Sequence, residues 1–414
     1  MKNPQIQFFS SSEGWNISSY NEIGENFKYG LSVPAIPFDG ENKYLRITDI
    51  DDDTRIFDKT NLSSPGIDLS LANEYILTEG DITFARTGAS VGKSYLYDAK
   101  DGKIYFAGFL IKIGIKKNVC ASFIFQNSLT NNFKSCNPVS NRFAAFRIFH
   151  ILSGQPGINI KELQAYKLYI PKTLEEQQKI ASYFQSLDSL IQVTSKKLAS
   201  LKQIKTASLQ SMFPQEGETV PKVRFKGFEG EWEEKSFSAL YKKSIIKNDL
   251  TFGTDKIISV ANMYYLTNVN VSDLEYLKTY NIMKLGDIAF EGNKSKRFLH
   301  GRFVENTIGD GIVSHVFVVF HPISAEHDIN YWKYAINNEN IMRNVLIRCT
   351  KSSTMMTDLV VDDFLKETIL VPSYAEQQKI GAYFRNLDQQ ISLQTQRLEK
   401  LKQIKAACLE KMFV

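Results

Sequence analysis

The sequence EQQKIASYFQSLDSLIQVTSKKLASLKQIKTASLQSMF, residues 176–213, decides the fold, because a second copy of it occupies residues 376–413. Aligned without a gap, the two copies are identical at 20 of 38 positions, from EQQKI at the start to a final Met-Phe. A long internal repeat of this kind indicates a chain of two similar halves rather than one large core.

Each copy predicts a long helix. Neither Gly nor Pro interrupts residues 176–213, and Pro214 follows as a stop signal. A helix of 38 residues is about 57 Å long, which is longer than a small domain is wide. Apolar residues recur in steps of three and four, a pattern typical of a coiled-coil seam. The predicted seam consists of Ile180, Phe184, Leu187, Ile191, Leu198 and Leu201 in the first copy, and of Ile380, Phe384, Leu387, Ile391, Leu398 and Leu401 in the second.

Two interpretations of this seam are open. The helices either join separate chains, or pair with each other within one chain. A linker rich in Gly, Pro and charge, residues 214–231, connects the first helix to the second globular segment. If this linker and the connection into the second helix are short, the end of helix one lies near the start of helix two. The helices then run antiparallel within one chain.

Composition and charge limit the class of protein. The 414 residues carry a net charge of +5, of which residues 174–213 and 374–414 contribute +2 and +3. The globular segments are nearly neutral, so a nucleic-acid surface would need segregated rather than bulk charge. The four cysteines (Cys120, Cys136, Cys349 and Cys408) lack CxxC spacing, which argues against disulfide or zinc frameworks. No apolar run is long enough for a membrane span and the N-terminus lacks a signal sequence, so we predict a cytoplasmic protein.

The chain is predicted to consist of five segments: globular residues 1–172, helical residues 173–213, the linker 214–231, globular residues 232–372 and helical residues 373–414. The globular segments share few features. Gly80-Asp81-Ile82 corresponds to Gly286-Asp287-Ile288, and the loop at 153–157 corresponds to that at 351–354. A constant frame thus surrounds two divergent domains.

These features together carry a family resemblance. Pro followed by EQQKI stands at 171–180 and 372–380, Leu-Asp stands at 187–188 and 387–388, and Arg-Phe-x-Gly-Phe-x-x-x-Trp occupies 224–232. Along its whole length the chain resembles the specificity subunit of a type I restriction–modification system. The first domain departs from the pattern, because it keeps only Gly14-Trp15 of the Arg-Phe lead-in.

The resemblance implies an α+β fold in which two mixed α/β target-recognition domains are separated by an antiparallel two-helix coiled coil with pseudo-two-fold symmetry. It also implies binding to double-stranded DNA and to methyltransferase subunits, two in number, with restriction subunits in the full complex. Because the two domains differ, we expect an asymmetric bipartite target whose half-sites are spaced by the paired helices.

Enzyme functions are disfavoured by the motifs. Residues 87–94 resemble a phosphate-binding P-loop, but only three residues separate Gly88 from Gly92 where four are needed. A turn with a cationic tip is the preferred interpretation. The run Asp51-Asp52-Asp53 is interpreted as a solvated turn rather than a metal site. His300, His315, His321 and His327 lack metal-ligand spacing. We find no adenine-methylation motif or cofactor fingerprint, and therefore predict a non-catalytic chain without metal or cofactor.

Candidate DNA contacts are cationic or amide side chains in predicted loops. For each of them, a solvated surface position is the alternative. They are Arg86, Lys93, Asn141, Arg142, Gln155, Lys294, Lys296, Arg297, Arg302 and Lys351. The alternative function is a coiled-coil scaffold with two protein-binding domains and no DNA. Duplex binding that weakens steeply with salt would distinguish DNA recognition from this scaffold.

Overall fold

A computed structural model describes residues 14–130, 133, 157–269, 271, 273–295, 298–352 and 356–413. The chain divides into two compact units. Unit 1 comprises Met1–Lys196 with Gln396–Val414, and unit 2 comprises Lys197–Thr395. Each unit therefore contains one globular domain, the first part of the long helix that follows it, and the last part of the other long helix.

Unit 1 is built around a four-stranded antiparallel sheet. Its strands are β1 (Asn16–Ser19), β2 (Gly24–Tyr29), β3 (Ala35–Pro37), β4 (Lys43–Leu45), β5 (Ser63–Pro65), β6 (Asp81–Ala85), β7 (Ser94–Leu96), β8 (Ile104–Phe106), β9 (Leu110–Ile115) and β10 (Lys167–Ile170). Its helices are α1 (Tyr20–Ile23), α2 (Ala121–Ser128), α3 (Ile160–Ala165) and the start of α4 (Leu174–Ser211). The sheet has the order β2-β9-β6-β7, and separate pairs are formed by β1 with β10, β3 with β5 and β4 with β8.

Unit 2 repeats this plan. Its strands are β11 (Glu233–Ser236), β12 (Tyr241–Lys243), β13 (Ile258–Ser259), β14 (Tyr264–Tyr265), β15 (Asn281–Met283), β16 (Ile288–Glu291), β17 (Arg302–Glu305), β18 (Gly311–Val313), β19 (Val318–Pro322), β20 (Thr350–Ser352), β21 (Thr357–Leu359) and β22 (Thr368–Val371). Its helices are α5 (Phe237–Leu240), α6 (Ile329–Ala335), α7 (Glu339–Cys349), α8 (Val361–Lys366) and the start of α9 (Tyr374–Met412).

The two units share one sheet topology. The order β12-β19-β16-β17 in unit 2 matches β2-β9-β6-β7 in unit 1, and the pair β11–β22 matches β1–β10. The repeat therefore extends through the globular domains, where the two sequences have diverged. This confirms the predicted α+β class with two repeated domains and two long helices.

The Gly-Asp-Ile motif begins the same central strand in both units. Gly80 and Gly286 have φ angles of +88° and +86°, a conformation that glycine adopts without a steric penalty. The next residue closes the turn: Asp81 accepts a hydrogen bond from the Thr78 amide at 2.8 Å. Asp287 likewise accepts a hydrogen bond from the Lys284 amide at 2.7 Å. The motif therefore forms the same turn before β6 and before β16.

The final Met-Phe of each sequence copy lies in a hydrophobic core. In unit 2, Phe213 is fully buried against the rings of Trp232, Tyr331 and Phe384. In unit 1, the end of α9 is buried in the same way: Phe413 contacts the rings of Trp15, Phe123 and Phe184. Each core thus contains the end of the helix that follows the other domain.

The paired helical segments run antiparallel within each unit. In unit 1, Asp188 of α4 forms an ion pair with Lys405 of α9 at 2.6 Å. In unit 2 the equivalent pair joins Asp388 to Lys205 at 2.5 Å. Of the predicted seam, most side chains are buried and three are half-buried; these three are Ile391, Leu398 and Leu401.

The glutamate that both sequence copies share at the helix start accepts a hydrogen bond from a residue that precedes the first strand of its unit. Glu176 accepts a hydrogen bond from the Trp15 indole at 3.2 Å. Glu376 accepts two from the Arg224 guanidinium, at 2.7 and 2.8 Å. The Arg-Phe lead-in that only the second domain possesses therefore has a structural partner. Among the described residues, no helix is both long and apolar enough to cross a membrane.

Candidate nucleic-acid interface

Two loops predicted to contact DNA meet in unit 1. The turn between β6 and β7, residues 86–93, forms an antiparallel bridge from Thr87 to Gly157. The Ile158 amide also donates a hydrogen bond to the Arg86 carbonyl at 2.8 Å. Gly157 is the last residue of the predicted loop at 153–157. We call residues 86–93 with Gly157 and Ile158 loop cluster 1.

The equivalent loops meet in unit 2. Asn293, in the turn between β16 and β17, forms an antiparallel bridge with Met356. The Thr357 amide donates to the Gly292 carbonyl at 2.8 Å. The ammonium of Lys294 donates to the Ser352 hydroxyl at 2.5 Å. We call residues 292–295 with Ser352, Met356 and Thr357 loop cluster 2.

Arg86 is the predicted contact whose surroundings best suit an external ligand. Its guanidinium lies 4.7 Å from the centre of the Tyr29 ring, which holds the cation in place. Its buried Nε has no hydrogen-bond partner among the described residues. A buried donor without a partner is costly, and a bound acceptor would remove that cost.

Lys93 does not form the exposed cationic tip that the sequence predicts, because its side chain is buried. The side chain is 8% exposed, and its ammonium lies 2.7 Å from Asp52. The hydrogen bond from Lys93 lowers the pKa of the Asp52 carboxyl. The structure also separates this segment from a P-loop, because strand β7 begins at Ser94 where a P-loop has a helix. Lys93 therefore holds a loop in place, and we leave it out of the proposed interface.

The acidic run at 51–53 forms a braced turn. The Asp51 carboxylate accepts hydrogen bonds from the amides of Asp53 and Thr54, at 3.1 and 2.7 Å. Asp53 pairs with Lys402 of α9 at 2.6 Å. The run remains solvent-exposed, as the sequence predicts, but its charges are balanced by lysines that are distant in sequence.

The remaining predicted contacts fall into three groups. Arg302 is satisfied within the protein: it pairs with Glu291 at 2.7 Å and donates to the Ala261 carbonyl at 2.7 Å. Its role is structural, because these partners fix β17 and the loop after β13. Lys351 lies exposed on β20, at the edge of loop cluster 2. The residues outside the described part of the chain are Asn141, Arg142, Gln155, Lys296 and Arg297.

The candidate contacts named from the sequence are cationic or amide side chains, and the apolar residues near the loop clusters are not among them. Phe109 precedes β9 and is 61% exposed, and its carbonyl accepts a hydrogen bond from the Arg86 amide at 3.0 Å. Tyr29, beneath Arg86, is also exposed. In unit 2, Val316 precedes β19 and is 56% exposed. The only signal in the sequence is a turn-forming Gly108 just before Phe109.

Two histidines of unit 2 pair with buried carboxyl groups. His321 Nδ1 lies 2.5 Å from Asp287, whose pKa is raised by burial despite the hydrogen bond from His321. His327 Nε2 lies 3.1 Å from Glu305, and its ring stacks on Trp332. Burial lowers the pKa of His327 to about 4 and raises that of Glu305 well above its ordinary range. In the described part of the chain, no group of three or more His, Cys, Asp or Glu side chains is arranged to hold a metal ion.

Both units display the same exposed apolar pair on their helical segments. In unit 1 these residues are Val193 of α4 and Ile404 of α9, and in unit 2 they are Leu393 of α9 and Ile204 of α4. Residues 193 and 393 occupy one position of the repeat, and residues 204 and 404 occupy another. Each unit therefore exposes apolar side chains at the same two positions of the helical repeat, and we call the parts of the helices that carry them the exposed apolar helix surfaces.

Comparison with known proteins agrees with this architecture. The family model for the type I restriction modification DNA specificity domain matches residues 12–203 and 230–403. The chain is similar to the crystal structure of a type I restriction-modification system S subunit from M. genitalium, with a TM-score of 0.60 and 12% identity over 100% of this chain and 99% of that one. It is also similar to a structure described as the basis of complex assembly and conformational transition of the type I R-M system, with a TM-score of 0.51 and 13% identity over 98% of each chain. At such identities the structural likeness demonstrates the fold.

Proposed function

The chain belongs to the type I restriction modification DNA specificity family, and we propose that it is the non-catalytic subunit that selects the DNA target of such an enzyme. One observation carries this proposal. The two units share a sheet and a helical frame, yet they differ at the loop clusters, where each unit presents its own set of side chains. A constant frame with two variable loop clusters suits the recognition of two different DNA half-sites.

We assign residues 1–172 and 232–372 as the two target-recognition domains. Arg86 in loop cluster 1 is suited to a guanine edge or a phosphate, because its guanidinium is oriented by Tyr29 and lacks an acidic partner among the described residues. In unit 2, Lys294 and Lys351 supply positive charge for the phosphate backbone. The paired helices are proposed to set the spacing between the half-sites.

The exposed apolar helix surfaces are proposed to bind methyltransferase subunits. Burial of these apolar side chains against a partner protein would be favourable. Because the surface occurs twice in equivalent form, it suits two methyltransferase subunits, with restriction subunits joining in the full complex. The similar structure whose description concerns assembly of the type I R-M system supports an assembled state for this chain too.

DNA binding is tested with the chain in complex with its methyltransferase subunit. Affinity for duplex DNA that carries the complex's target should fall steeply as salt is raised. Arg86→Ala should weaken binding and relax the preference at one position of one half-site, by a factor of roughly 5 to 150 for a lost bidentate base contact. Lys100→Ala is the matched control, because this exposed lysine lies in the turn that follows the far end of β7.

Two results would contradict the proposal. A complex that assembles but does not bind duplex DNA would favour a protein scaffold. Methyl transfer by the purified chain, free of any methyltransferase, would contradict a non-catalytic role.

Partner binding is tested separately on the helices. Val193→Asp and Leu393→Asp place a charge on equivalent apolar surfaces, and each should remove one methyltransferase subunit from the complex. Native mass spectrometry measures the composition of the complex. Ile245→Asp, at an exposed apolar residue outside the long helices, is the control. A complete complex with both helix variants would refute the assigned surface.

A further inference from the structure

The central sheets establish a residue-by-residue correspondence between the units. In unit 1, Phe84 of β6 pairs with Ile111 of β9. In unit 2, Phe290 of β16 pairs with Val318 of β19. Phe84 and Phe290 each lie four residues after the glycine that begins the shared turn, so they occupy equivalent positions. Their partners are therefore equivalent as well, and the residues before β9 and β19 can be aligned directly.

This alignment makes Phe109 and Val316 equivalent. Phe109 lies two residues before Ile111, and Val316 lies two residues before Val318. Both are large apolar side chains, and both are more than half exposed. Full burial of such a side chain is favourable by about 1.5–3 kcal/mol, and contact with a ligand would recover part of this free energy at the same position in both domains.

Both side chains are held on closed turns. In unit 1 the turn is closed by a hydrogen bond from the Leu110 amide to the Ala107 carbonyl at 2.8 Å. Unit 2 has the same closure, from the Phe317 amide to the Ser314 carbonyl at 3.0 Å. Each exposed residue is the third of four in its turn, the same place in both units. The exposed positions are therefore defined by the fold rather than by a loose loop.

The turn of unit 1 is further fixed to its neighbours. The Gly108 amide donates to the Leu31 carbonyl at 2.6 Å, and a Cβ at Gly108 would lie 2.4 Å from the Ser32 hydroxyl. The same Cβ would lie 3.2 Å from the Leu31 carbonyl oxygen, so the turn packs tightly against residues 31 and 32. The hydrogen bond from the Arg86 amide to the Phe109 carbonyl places Phe109 directly beside loop cluster 1.

The residue that corresponds to Arg86 is different in unit 2. Unit 1 has Arg86, whereas the equivalent residue of unit 2 is Gly292, whose carbonyl accepts the matching hydrogen bond from Thr357. A Cβ at Gly292 would lie 2.2 Å from the Thr357 carbonyl oxygen, which leaves no room for a side chain there. Each loop cluster therefore has a different residue at this position, as expected for two surfaces of different specificity.

We propose that Phe109 and Val316 are base-recognition residues, each of which contacts the C5-methyl group of a thymine in the major groove of its own half-site. Thymine is the base that presents an apolar group at its major-groove edge, and apolar side chains recognise it there. Arg86, next to Phe109, suits a neighbouring guanine in the same groove. This inference rests on the proposed DNA recognition and adds the chemistry of one contact in each half-site.

The experiment removes single methyl groups from the DNA. The target of the complex with the methyltransferase subunit is first defined from the methylated sites. Duplexes are then made in which each thymine of the target is replaced, one at a time, by deoxyuridine. For the unmodified protein, one replacement in each half-site should weaken binding about fourfold, the factor that corresponds to one buried methyl group.

Two variants assign each sensitive position to a residue. Phe109→Ala should abolish the deoxyuridine effect in one half-site and leave that in the other unchanged, and Val316→Ala should do the reverse. Leu71→Ala and Ile245→Ala, at exposed apolar residues elsewhere in units 1 and 2, should leave both effects intact. Circular dichroism and thermal unfolding verify that the variants are folded.

The outcomes separate this inference from the proposed function. Normal salt-dependent binding in which no thymine is sensitive, or in which sensitivity persists in both variants, would overturn the inference and leave DNA recognition intact. A half-site without thymine would overturn the assignment for the residue concerned. Absence of target binding by the unmodified complex would instead contradict the proposed function itself.

Discussion

Phe213→Ala should destabilise unit 2, although Phe213 follows the first globular domain in sequence. The side chain is fully buried, with ring centres 6.2 Å from Trp232, 5.8 Å from Tyr331 and 6.1 Å from Phe384. Truncation removes these contacts and leaves a cavity in a core made almost entirely of residues from the second domain and the start of α9.

The size of the effect follows from the burial. Truncating a buried phenylalanine to alanine typically costs about 3–5 kcal/mol. Domains of this size are stable by about 5–15 kcal/mol, so the substitution removes a large share of the stability of unit 2. Opening of unit 2 should become roughly 150-fold to 5,000-fold more frequent.

Amide hydrogen exchange measured by peptide is the appropriate assay, because it reports on the two units separately. Peptides that contain β12, β16 and β19 should exchange faster in Phe213→Ala, while those that contain β2, β6 and β9 should be unaffected. Phe413→Ala should have the opposite pattern, and Ile204→Ala, at an exposed residue of α4, should change neither. Faster exchange confined to the strands of unit 1 in Phe213→Ala would refute the assignment of this helix end to unit 2.

Four further predictions concern unit 2. Burial alone would raise the pKa of Asp388, but hydrogen bonds, chiefly from Lys205, lower it overall; Asp388→Asn should therefore cost about 1–3 kcal/mol at neutral pH, and the difference from the unmodified protein in urea unfolding should shrink below about pH 4. Burial raises the pKa of Glu305 above its value in the unfolded chain, so folding becomes less favourable as the pH rises above that unfolded-chain pKa. Glu305→Gln should therefore stabilise the protein more at about pH 8 than at about pH 5. An equal gain at both pH values would contradict a buried acid. Burial lowers the pKa of His327 to about 4, so the unfolded chain binds a proton at this residue at a higher pH than the folded protein does. The free energy of unfolding should therefore fall by up to about 3 kcal/mol as the pH falls from about 6.5 to 4, and His327→Gln should remove that loss. Replacing residues 232–372 by a related domain that retains Trp232 and Tyr331 should change one half-site of the methylated target, and a change in both would argue against independent domains.

Several features were predictable because they depend on local sequence or on repetition. The seam residues define long helices by their spacing alone, and the repeat of residues 176–213 at 376–413 requires two equivalent environments. The Gly-Asp-Ile motif marks a turn because the conformation at Gly80 and Gly286 is intrinsically favourable for glycine. These are short-range properties of the chain, and the structure places them where the sequence predicts.

The side chains of the candidate interface were less predictable, because their exposure depends on residues distant in the chain. Lys93 and Arg86 belong to one turn, yet Lys93 is buried against Asp52 while Arg86 lies over Tyr29. Neither partner is indicated by the local sequence. Arg302 likewise is neutralised by Glu291 on the neighbouring strand, which is known only once β16 and β17 are paired.

The sequence by itself determined the helical repeat, the two-domain division and the family. Tertiary structure alone decided which side chains face outward, and Phe106 and Phe109 illustrate the reason. They lie three residues apart in one apolar stretch, yet Phe106 is fully buried in β8 and Phe109 is exposed on the next turn. Hydrophobicity favours burial of both. The turn that carries Phe109 is hydrogen-bonded to Leu31 and Arg86, and those partners lie far away in sequence.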